Sequence, residues 1–258
     1  MVTGTAAFDL TGRTALVTGS SQGIGRTLAA GLAEAGATVV IHGRDSAKAA
    51  RAAAEITASS GRDAFSAVFD VTDPEAVDAG VTAVEADHGP LDILVNNAGI
   101  QRRAPITEFS NEDWDALVAT NLSSAFFVSR RAARGMVARG SGKIVQIGSV
   151  QSLLARPGIA PYSATKGAIV MLTKGLCADL APHGIQANAI APGYFATELT
   201  QPLVADEQFS AWVRGRTPAG RWGDTRDLIG ALVFLCSGAS DFVNGQTIFV
   251  DGGMTAVV

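Results

Sequence analysis

A tyrosine and a lysine four residues apart, Tyr162 and Lys166, are the side chains of this sequence whose spacing best suits proton transfer. Residues at positions i and i+4 of a helix lie on one face, a turn apart. A nearby ammonium group stabilises a phenolate, so it should lower the pKa of the tyrosine from about 10 toward neutrality. The pair alone equally fits a half-buried tyrosine beside a solvated lysine. Its interpretation therefore depends on the elements around it.

A glycine-rich stretch, residues 18–25, follows a predicted strand and comes directly before a predicted helix. Glycine suits such a turn because it adopts positive φ angles and lets the backbone approach a pyrophosphate closely. The N–H groups at the start of the helix then face the phosphates. A phosphate-binding P-loop is the alternative, but this turn has one residue too many and lacks the lysine that reaches the terminal phosphates. The pattern therefore favours a dinucleotide.

The end of the second predicted strand bears on which dinucleotide is bound. A protein that binds NAD usually has Asp or Glu there to hold the ribose hydroxyls, whereas the extra phosphate of NADP requires a nearby arginine. Here the strand is followed by His42, Gly43 and Arg44, which favours NADP(H). Asp45, which comes next, and the neutral Gln22 argue the other way and keep NAD(H) as the alternative.

Short β-branched runs alternate along the chain with longer, alanine-rich patterns of helical period. Strands are predicted at 14–18, 38–41, 64–69, 93–95, 144–147, 186–190 and 247–250. Helices are predicted at 25–35, 46–59, 74–87, 111–138, 160–181 and 225–236. This alternation predicts βαβ units with right-handed crossovers. We therefore expect an α/β fold with a buried parallel sheet, formed by a single domain over residues 1–258.

The segment 193–224 does not fit this alternation. It is too long for an ordinary connection between a strand and a helix, and long connections in compact domains often carry function. We expect a flap over the substrate there.

Composition limits the classes of partner. The chain has 20 basic and 24 acidic residues, a formal charge of -4, whereas nucleic acids and anionic membranes require a basic surface. Residues 1–10 lack the basic and apolar parts of a signal peptide, and the longest apolar run, 228–236, is too short to cross a bilayer. We expect a cytoplasmic protein that binds neither nucleic acid nor membrane.

The cysteines and histidines give no sign of a metal site. Cys177 and Cys236 lie in apolar helical stretches without a CxxC pattern, so we expect two buried thiols in a reducing compartment. The three histidines, His42, His88 and His183, have neither metal-binding nor triad spacing, and we expect each to be structural or at the surface.

Taken together, these motifs resemble the short-chain dehydrogenase/reductase family. The resemblance rests on the glycine-rich turn, on Asn96-Asn97-Ala98-Gly99 after the fourth strand, on Ser149 after the fifth, on Tyr162 with Lys166, and on Pro192-Gly193 after the sixth. These follow one another in the family's order over nearly the whole chain. The resemblance implies a Rossmann-type doubly wound parallel sheet of about seven strands with helices on both faces, and NAD(P) at the carboxyl ends of the strands.

The resemblance also implies roles for four residues. Tyr162 would exchange a proton with the carbonyl or alcohol oxygen, and Ser149 would donate a hydrogen bond to that oxygen. Lys166 would lower the pKa of the tyrosine and hold the nicotinamide ribose. Asn121 would position a water that connects the lysine to solvent.

The cofactor residues implied by the family fall into three groups. The pyrophosphate group comprises Gly19, Ser21, Gln22, Gly23 and Ile24, with Arg44 as the residue for the extra phosphate of NADP. Around the adenosine we expect Asp70, Val71, Asn97, Ala98 and Gly99. Around the nicotinamide we expect Pro192, Gly193 and Thr197, together with Tyr162 and Lys166.

Four shorter segments resemble the gluconate 5-dehydrogenases, or 5-ketogluconate reductases, within this family. They are 97–103, 191–198, 216–224 and 239–245. Gluconate is a polyhydroxylated carboxylate, and a guanidinium group would bind its carboxylate through two parallel hydrogen bonds. Arg102 and Arg103 are the candidates, and only one can easily face inward. With Ser149 and Tyr162, further contacts to the substrate are expected from Gln151, Tyr194 and Trp212.

Two other functions fit the same motifs. A reductase of another ketone, such as a 3-oxoacyl thioester, would use the same catalytic residues, and a nucleotide-sensing scaffold would keep the fold without catalysis. The helices predicted at 111–138 and 160–181 carry more apolar surface than one sheet face should bury. We therefore expect a homo-oligomer, a tetramer by family resemblance or a dimer.

Overall fold

The computed structural model describes residues 4–258, which form seven strands and nine α-helices. The strands are β1 Thr14–Val17, β2 Thr38–Gly43, β3 Ala64–Val68, β4 Leu91–Asn96, β5 Gly142–Ile147, β6 Ile185–Pro192 and β7 Thr247–Val250. The helices are α1 Gly23–Glu34, α2 Ser46–Ser60, α3 Pro74–His88, α4 Asn111–Val118, α5 Ser124–Arg139, α6 Ala160–Leu180, α7 Gln201–Ala205, α8 Glu207–Arg216 and α9 Ile229–Cys236. Every predicted strand is present, with ends that differ by a few residues, and so are the predicted helices, except that 111–138 is divided between α4 and α5 and that 225–228 forms a 3-10 turn before α9.

The strands form one parallel sheet in the order β3-β2-β1-β4-β5-β6-β7. The chain first builds outward from β1 to β3, then crosses back to place β4 beside β1. The strand order therefore reverses between β1 and β4, and open α/β sheets bind ligands at the carboxyl ends of the strands on either side of such a point. The doubly wound parallel sheet expected from the sequence is confirmed.

Alternate residues of each strand enter opposite cores. In β1, Ala15 and Val17 pack with α1, α2 and α9 on one face of the sheet, whereas Leu16 packs with α3 and α5 on the other. All three are fully buried. Because both faces are covered, the central strands are continuous apolar runs, as is typical of parallel sheets.

Residues 111–138, predicted as one helix, lie in α4 and α5, which are joined by a π-helical turn at Ala119–Ser123. A π turn inserts an extra residue into a helix and is often found at functional sites. Here it contains Asn121, whose side chain is directed to the backbone of Ile100 beyond β4. The hydrophobic period continues through the turn, so the sequence pattern does not reveal it.

The segment 193–224 leaves the sheet and returns to it, with its two ends tied together. Phe195 pairs with Gly223 in an isolated parallel bridge, where Ala196 N–H donates to Gly223 O at 3.0 Å and Gly223 N–H donates to Tyr194 O at 2.8 Å. Between these ends it forms α7 and α8. The segment is therefore an ordered excursion on a closed base, and its service as a substrate flap stays a prediction.

The two cysteines differ in burial. Cys236 is buried, and burial raises the pKa of its thiol, whereas Cys177 on α6, beside the turn at Gly245, is only half-buried. The expectation of two buried thiols was therefore wrong for Cys177.

Within residues 4–258, none of the helices is both long and apolar enough to cross a membrane.

Candidate active site

A cleft opens where the carboxyl ends of β1, β4, β5 and β6 meet. It brings together twelve of the residues predicted for the site: Gly19, Gln22, Gly23, Ile24, Asn97, Gly99, Ser149, Tyr162, Lys166, Pro192, Gly193 and Thr197. Four segments far apart in the sequence thus converge at the point where the strand order reverses.

The glycine-rich turn is packed too tightly for side chains at two of its positions. Gly19 has a φ of +61°, and a Cβ there would lie 2.9 Å from the Cα of Ala98. A Cβ on Gly25 would lie 2.5 Å from the carbonyl oxygen of Gly19. Without side chains at these positions, the first turn of α1 approaches the end of β4 and leaves backbone N–H groups directed at the cleft.

Asn97 fastens this turn to β4. Its side-chain nitrogen donates to the carbonyl oxygens of Thr18 and Gly19, each at 3.0 Å. The Thr18 hydroxyl accepts from the backbone N–H groups of Asn97 and Ala98 at 3.0 and 3.1 Å. Asn97 therefore supports the turn as well as lining the cleft, which the motif alone did not indicate.

His42, at the end of β2, holds the same turn from the opposite side. Its Nδ1 accepts from the N–H of Gly19 at 3.1 Å, so its Nε2 carries the proton and donates to the carbonyl oxygen of Phe69 at 2.9 Å. The side chain is 2% exposed, and burial lowers its pKa from 6.5 to about 4. His42 is thus a neutral, buried structural residue that positions the glycine-rich turn.

Arg44 and its acidic neighbour Asp45 have different surroundings. The Asp45 carboxylate caps α2 by accepting from Lys48 N–H at 3.0 Å, which directs it away from the cleft. Hydrogen bonds from the Thr72 N–H and hydroxyl hold the pKa of Asp70 below its usual range, and the nearby charge of Arg44 adds to this effect. Arg44 itself is exposed.

Ser149, Tyr162 and Lys166 meet below the cleft. Ser149 follows β5 and is buried, and its Oγ accepts from the N–H of Gln151 at 3.1 Å. Tyr162 and Lys166 lie in the first two turns of α6, and the Lys166 Nζ is 5.7 Å from the centre of the tyrosine ring. The same Nζ donates to the carbonyl oxygen of Ile147 at 2.8 Å, which holds the lysine against the end of β5.

The electrostatics of this group differ from the sequence expectation. Burial raises the pKa of Tyr162, while the side chain of Ser149 and the charge of Arg103 act in the opposite direction. Burial also lowers the pKa of Lys166 from 10.5 to about 8. In this geometry burial is the largest influence on the pKa of Tyr162 and Arg103 is the cation that opposes it, so the lowering of that pKa by Lys166 stays a prediction.

Asn121 connects α6 with the segment after β4. Its Oδ1 accepts from Ile100 N–H at 2.8 Å, and its Nδ2 donates to Ile100 O at 3.0 Å. The Nδ2 also lies 3.4 Å from the Thr165 hydroxyl, next to Lys166 in the sequence. Because its side chain is occupied by these bonds, Asn121 fixes the backbone around Gly99 and Lys166.

A second cavity continues from Ser149 and Tyr162 away from the cofactor cleft. Five of the residues predicted to contact the substrate line it: Arg103, Gln151 and Tyr194, with Ser149 and Tyr162, which also line the first cleft. Arg102 instead pairs with Asp113 at 3.0 Å, so of the two candidates it is Arg103 that faces the cavity. Trp212 lies behind Tyr194, edge-on with ring centres 5.6 Å apart, and does not line the cavity in the part of the chain that the structure describes.

Sequence reasoning missed several residues of the two cavities. Ile147 and Gly148 line the cofactor cleft through the backbone after β5, and Thr200 lines both cavities while its hydroxyl donates to Phe195 O at 2.7 Å. Arg156 lines the second cavity. Its position between two recognised motifs, Ser149 and Tyr162, was the available signal. Among residues 4–258, no group of three or more His, Cys, Asp or Glu is placed to hold a metal ion.

Comparison with known proteins supports this arrangement. A family model described as enoyl-(acyl carrier protein) reductase matches residues 19–255. Gluconate 5-dehydrogenase of Gluconobacter oxydans (strain 621H) is 60% identical over 96% of both chains. The 5-keto-D-gluconate 5-reductase of Escherichia coli (strain K12) is 53% identical over 97% of this chain and 98% of its own. The crystal structure of a gluconate 5-dehydrogenase from Burkholderia cenocepacia J2315, in complex with NADP and tartrate, is 59% identical, covers 98% of both chains and has a TM-score of 0.95.

Proposed function

We propose, because the chain belongs to the short-chain dehydrogenase/reductase family, that it interconverts D-gluconate and 5-dehydro-D-gluconate with NADP(H). The observation that carries the substrate class is Arg103, which faces the cavity beside Ser149 and Tyr162 and suits a carboxylate. Relatives at 60% and 53% identity are named for this pair of compounds.

The cleft fits a dinucleotide phosphate. Glycines at 19 and 25 leave space for close approach of phosphates, the N-terminus of α1 faces them, and the chain has Gly43 and Arg44 where an NAD-binding protein usually has an acid. The Burkholderia structure contains NADP. We propose that the pyrophosphate lies against Gly19, Ser21, Gln22, Gly23 and Ile24, the adenosine near Arg44, Asp70, Val71, Asn97, Ala98 and Gly99, and the nicotinamide near Pro192, Gly193 and Thr197.

Four residues of the chain would share proton transfer and the positioning of the cofactor. When bound, the nicotinamide accepts or donates the hydride. Tyr162 gives its phenolic proton to the ketone oxygen during reduction and takes one from the alcohol during oxidation. Ser149 donates a hydrogen bond to the same oxygen as charge develops on it. Lys166 holds the nicotinamide ribose, and Asn121 keeps the segment around it in place for a water that restores the proton.

Initial rates test this proposal directly. The purified protein is assayed with NADP(H) and with NAD(H) against gluconate, 5-ketogluconate, a panel of other sugar acids and acetoacetyl thioester. We expect turnover of gluconate and 5-ketogluconate and a higher kcat/KM with NADP(H). Turnover of the thioester alone would instead assign a 3-oxoacyl reductase, and cofactor binding without hydride transfer to any ketone would assign a nucleotide-sensing protein. Cytoplasmic location and assembly into a homo-oligomer are further proposals for this chain.

A further inference from the structure

Three buried polar atoms lack hydrogen-bond partners in the substrate cavity. They are Gln151 Oε1, Arg156 Nε and Tyr194 OH, three of the six such side-chain atoms in the described part of the chain. Gln151 as a whole is 9% exposed. A buried polar group without a partner costs about 1–3 kcal/mol, and native structures keep few of them. Their concentration in one cavity indicates a ligand that offers both donors and acceptors.

The charge of this cavity is positive and uncompensated. Burial lowers the pKa of Arg103, and the like charge of Arg156 lowers it further, so the two guanidinium groups lie close enough to repel. Within residues 4–258, no Asp or Glu lines the cavity. Arg102, by contrast, has Asp113 as its partner outside it. Two cations that share a cavity without an acid favour an anion between them.

The position of Arg156 is set by an aromatic ring. Its guanidinium lies over Phe209 of α8, 5.5 Å from the ring centre, as in a cation–π contact. Burial raises the pKa of Tyr194, and the charge of Arg156 opposes this, which places the guanidinium beside the tyrosine hydroxyl as well. Arg156, on the loop between β5 and α6, is therefore held against the excursion 193–224 and shares the cavity with Arg103.

We propose that Arg156 is a second carboxylate-binding residue, which with Arg103 grips the acid group of the substrate while Gln151 and Tyr194 bind its hydroxyls. This rests on the proposed function, since it names the group that distinguishes the substrate of that same site. In gluconate the carboxylate and C5 lie toward opposite ends of the carbon chain. A carboxylate held by Arg103 and Arg156 in the cavity that Tyr162 also lines thus determines which hydroxyl reaches the phenol.

The matched substrates for the test are D-gluconate and D-glucitol, which share their hydroxyls and differ only where glucitol has a hydroxymethyl group in place of the carboxylate. Rates of oxidation with NADP are measured for the wild type, Arg156→Gln, Arg156→Lys and the control Arg102→Gln. We expect Arg156→Gln to raise the KM for gluconate by about tenfold or more and to leave the KM for glucitol unchanged. Arg156→Lys should restore part of this, because it keeps the charge and loses the planar fork.

The outcomes separate the inference from the proposed function. A wild type that oxidises gluconate, with the same gluconate-to-glucitol ratio of kcat/KM in Arg156→Gln, would overturn the role of Arg156 alone. An equal fall for both substrates, or a weaker affinity for NADP, would show a structural role and overturn it too. A wild type inactive on gluconate would overturn the proposed function and remove the ligand on which the inference rests.

Discussion

At the scale of single residues, the proposed function assigns proton transfer to one phenol. Replacing Tyr162 by Phe removes the hydroxyl and leaves the ring in its half-buried place on α6. We expect kcat to fall by at least about a hundredfold, the usual contribution of a positioned acid or base, with the Kd for NADP nearly unchanged. Steady-state rates and isothermal titration with NADP measure both quantities. If the variant keeps most of its turnover, a group other than Tyr162 transfers the proton.

The charge of Arg103 should be visible in the pH dependence of alcohol oxidation. Oxidation requires the phenolate, burial raises the pKa of Tyr162, and Arg103 partly offsets this rise. Removing that charge in Arg103→Gln raises the pKa further. The increase of kcat/KM for gluconate with pH should therefore move to higher pH, together with a higher KM.

The control for this profile is Arg102→Gln, whose guanidinium is paired with Asp113 and directed away from the cavity. It should keep the wild-type pH profile and KM. An equal shift in both variants would show that the effect is one of general surface charge, whereas no change in KM for either would place carboxylate recognition elsewhere.

The sequence predicted the residues of the site better than their physical state. Ser149, Tyr162 and Lys166 come together as the motif implied, because each directly follows or begins an element whose period is clear. Spacing along a helix carries no information on burial, so the sequence did not indicate that burial raises the pKa of Tyr162. Arg156 was missed because no motif contains it, and Arg102 and Arg103 could be separated only by their packing.

At the scale of elements, the glycine-rich turn joins β1 to α1 through contacts that exclude side chains. In Gly25→Ala, the new methyl group would meet the carbonyl oxygen of Gly19 at 2.5 Å and the amide of Asn97. We expect the free energy of unfolding to fall by about 1–3 kcal/mol, as for overpacked cores, and the affinity for NADP to fall strongly. Denaturant titration and calorimetry with NADP measure the two effects.

Gly230→Ala in α9 is the matched control for that substitution. It is exposed, and no atom of the described residues lies within 4 Å of a Cβ built there. Because alanine favours a helix over glycine, we expect a gain of about 0.5–1 kcal/mol and unchanged NADP binding. A loss of stability at both positions would show that the turn is not specially constrained.

His42 makes the stability of the same turn depend on pH. Its folded-state pKa is about 4, whereas an unfolded histidine has a pKa of about 6.5. Between these values the unfolded chain binds a proton that the folded chain does not, so the free energy of unfolding falls as the pH falls. The loss through this window amounts to about 3 kcal/mol at most.

The variant His42→Gln should lack this loss. At pH 7 it is expected to be less stable than the wild type, because Gly19 N–H loses its acceptor. As the pH falls to 4, the difference in free energy of unfolding between wild type and variant should shrink or reverse. Urea titrations at several pH values measure it, and parallel curves for the two proteins would contradict a neutral, buried His42.

Element ends were less predictable than element types. The π turn at Ala119–Ser123 preserves the apolar period of the helices on either side, so residues 111–138 were predicted as one helix. The excursion 193–224 was recognised only as too long for a connection. Its closed base depends on a bridge between Phe195 and Gly223, a long-range contact that no local pattern encodes.

At the scale of the whole molecule, the order of strands follows from the alternation of strands and helices. Parallel neighbours need right-handed crossovers, and helices must cover both faces, which leaves few arrangements for seven such units. Among the seven strands, the connection from β3 to β4 is the one that joins strands that are not neighbours in the sheet. The cofactor turn, Asn97 and the excursion 193–224 therefore meet at a single edge of the sheet, although they are far apart in sequence.

The surface of the molecule predicts its assembly. Trp114 of α4, Phe126 of α5 and Met171 of α6 are 44%, 42% and 61% exposed, on helices that pack against one another. Apolar faces of this kind often mate across a two-fold axis, so native mass spectrometry should find a homo-oligomer. In Met171→Glu, carboxylates brought together at the axis would repel, and the mass should fall. The control Val68→Glu, at the β3 edge of the sheet, should keep the wild-type mass. A monomeric wild type would contradict the predicted assembly. An unchanged mass for Met171→Glu would place the interface elsewhere.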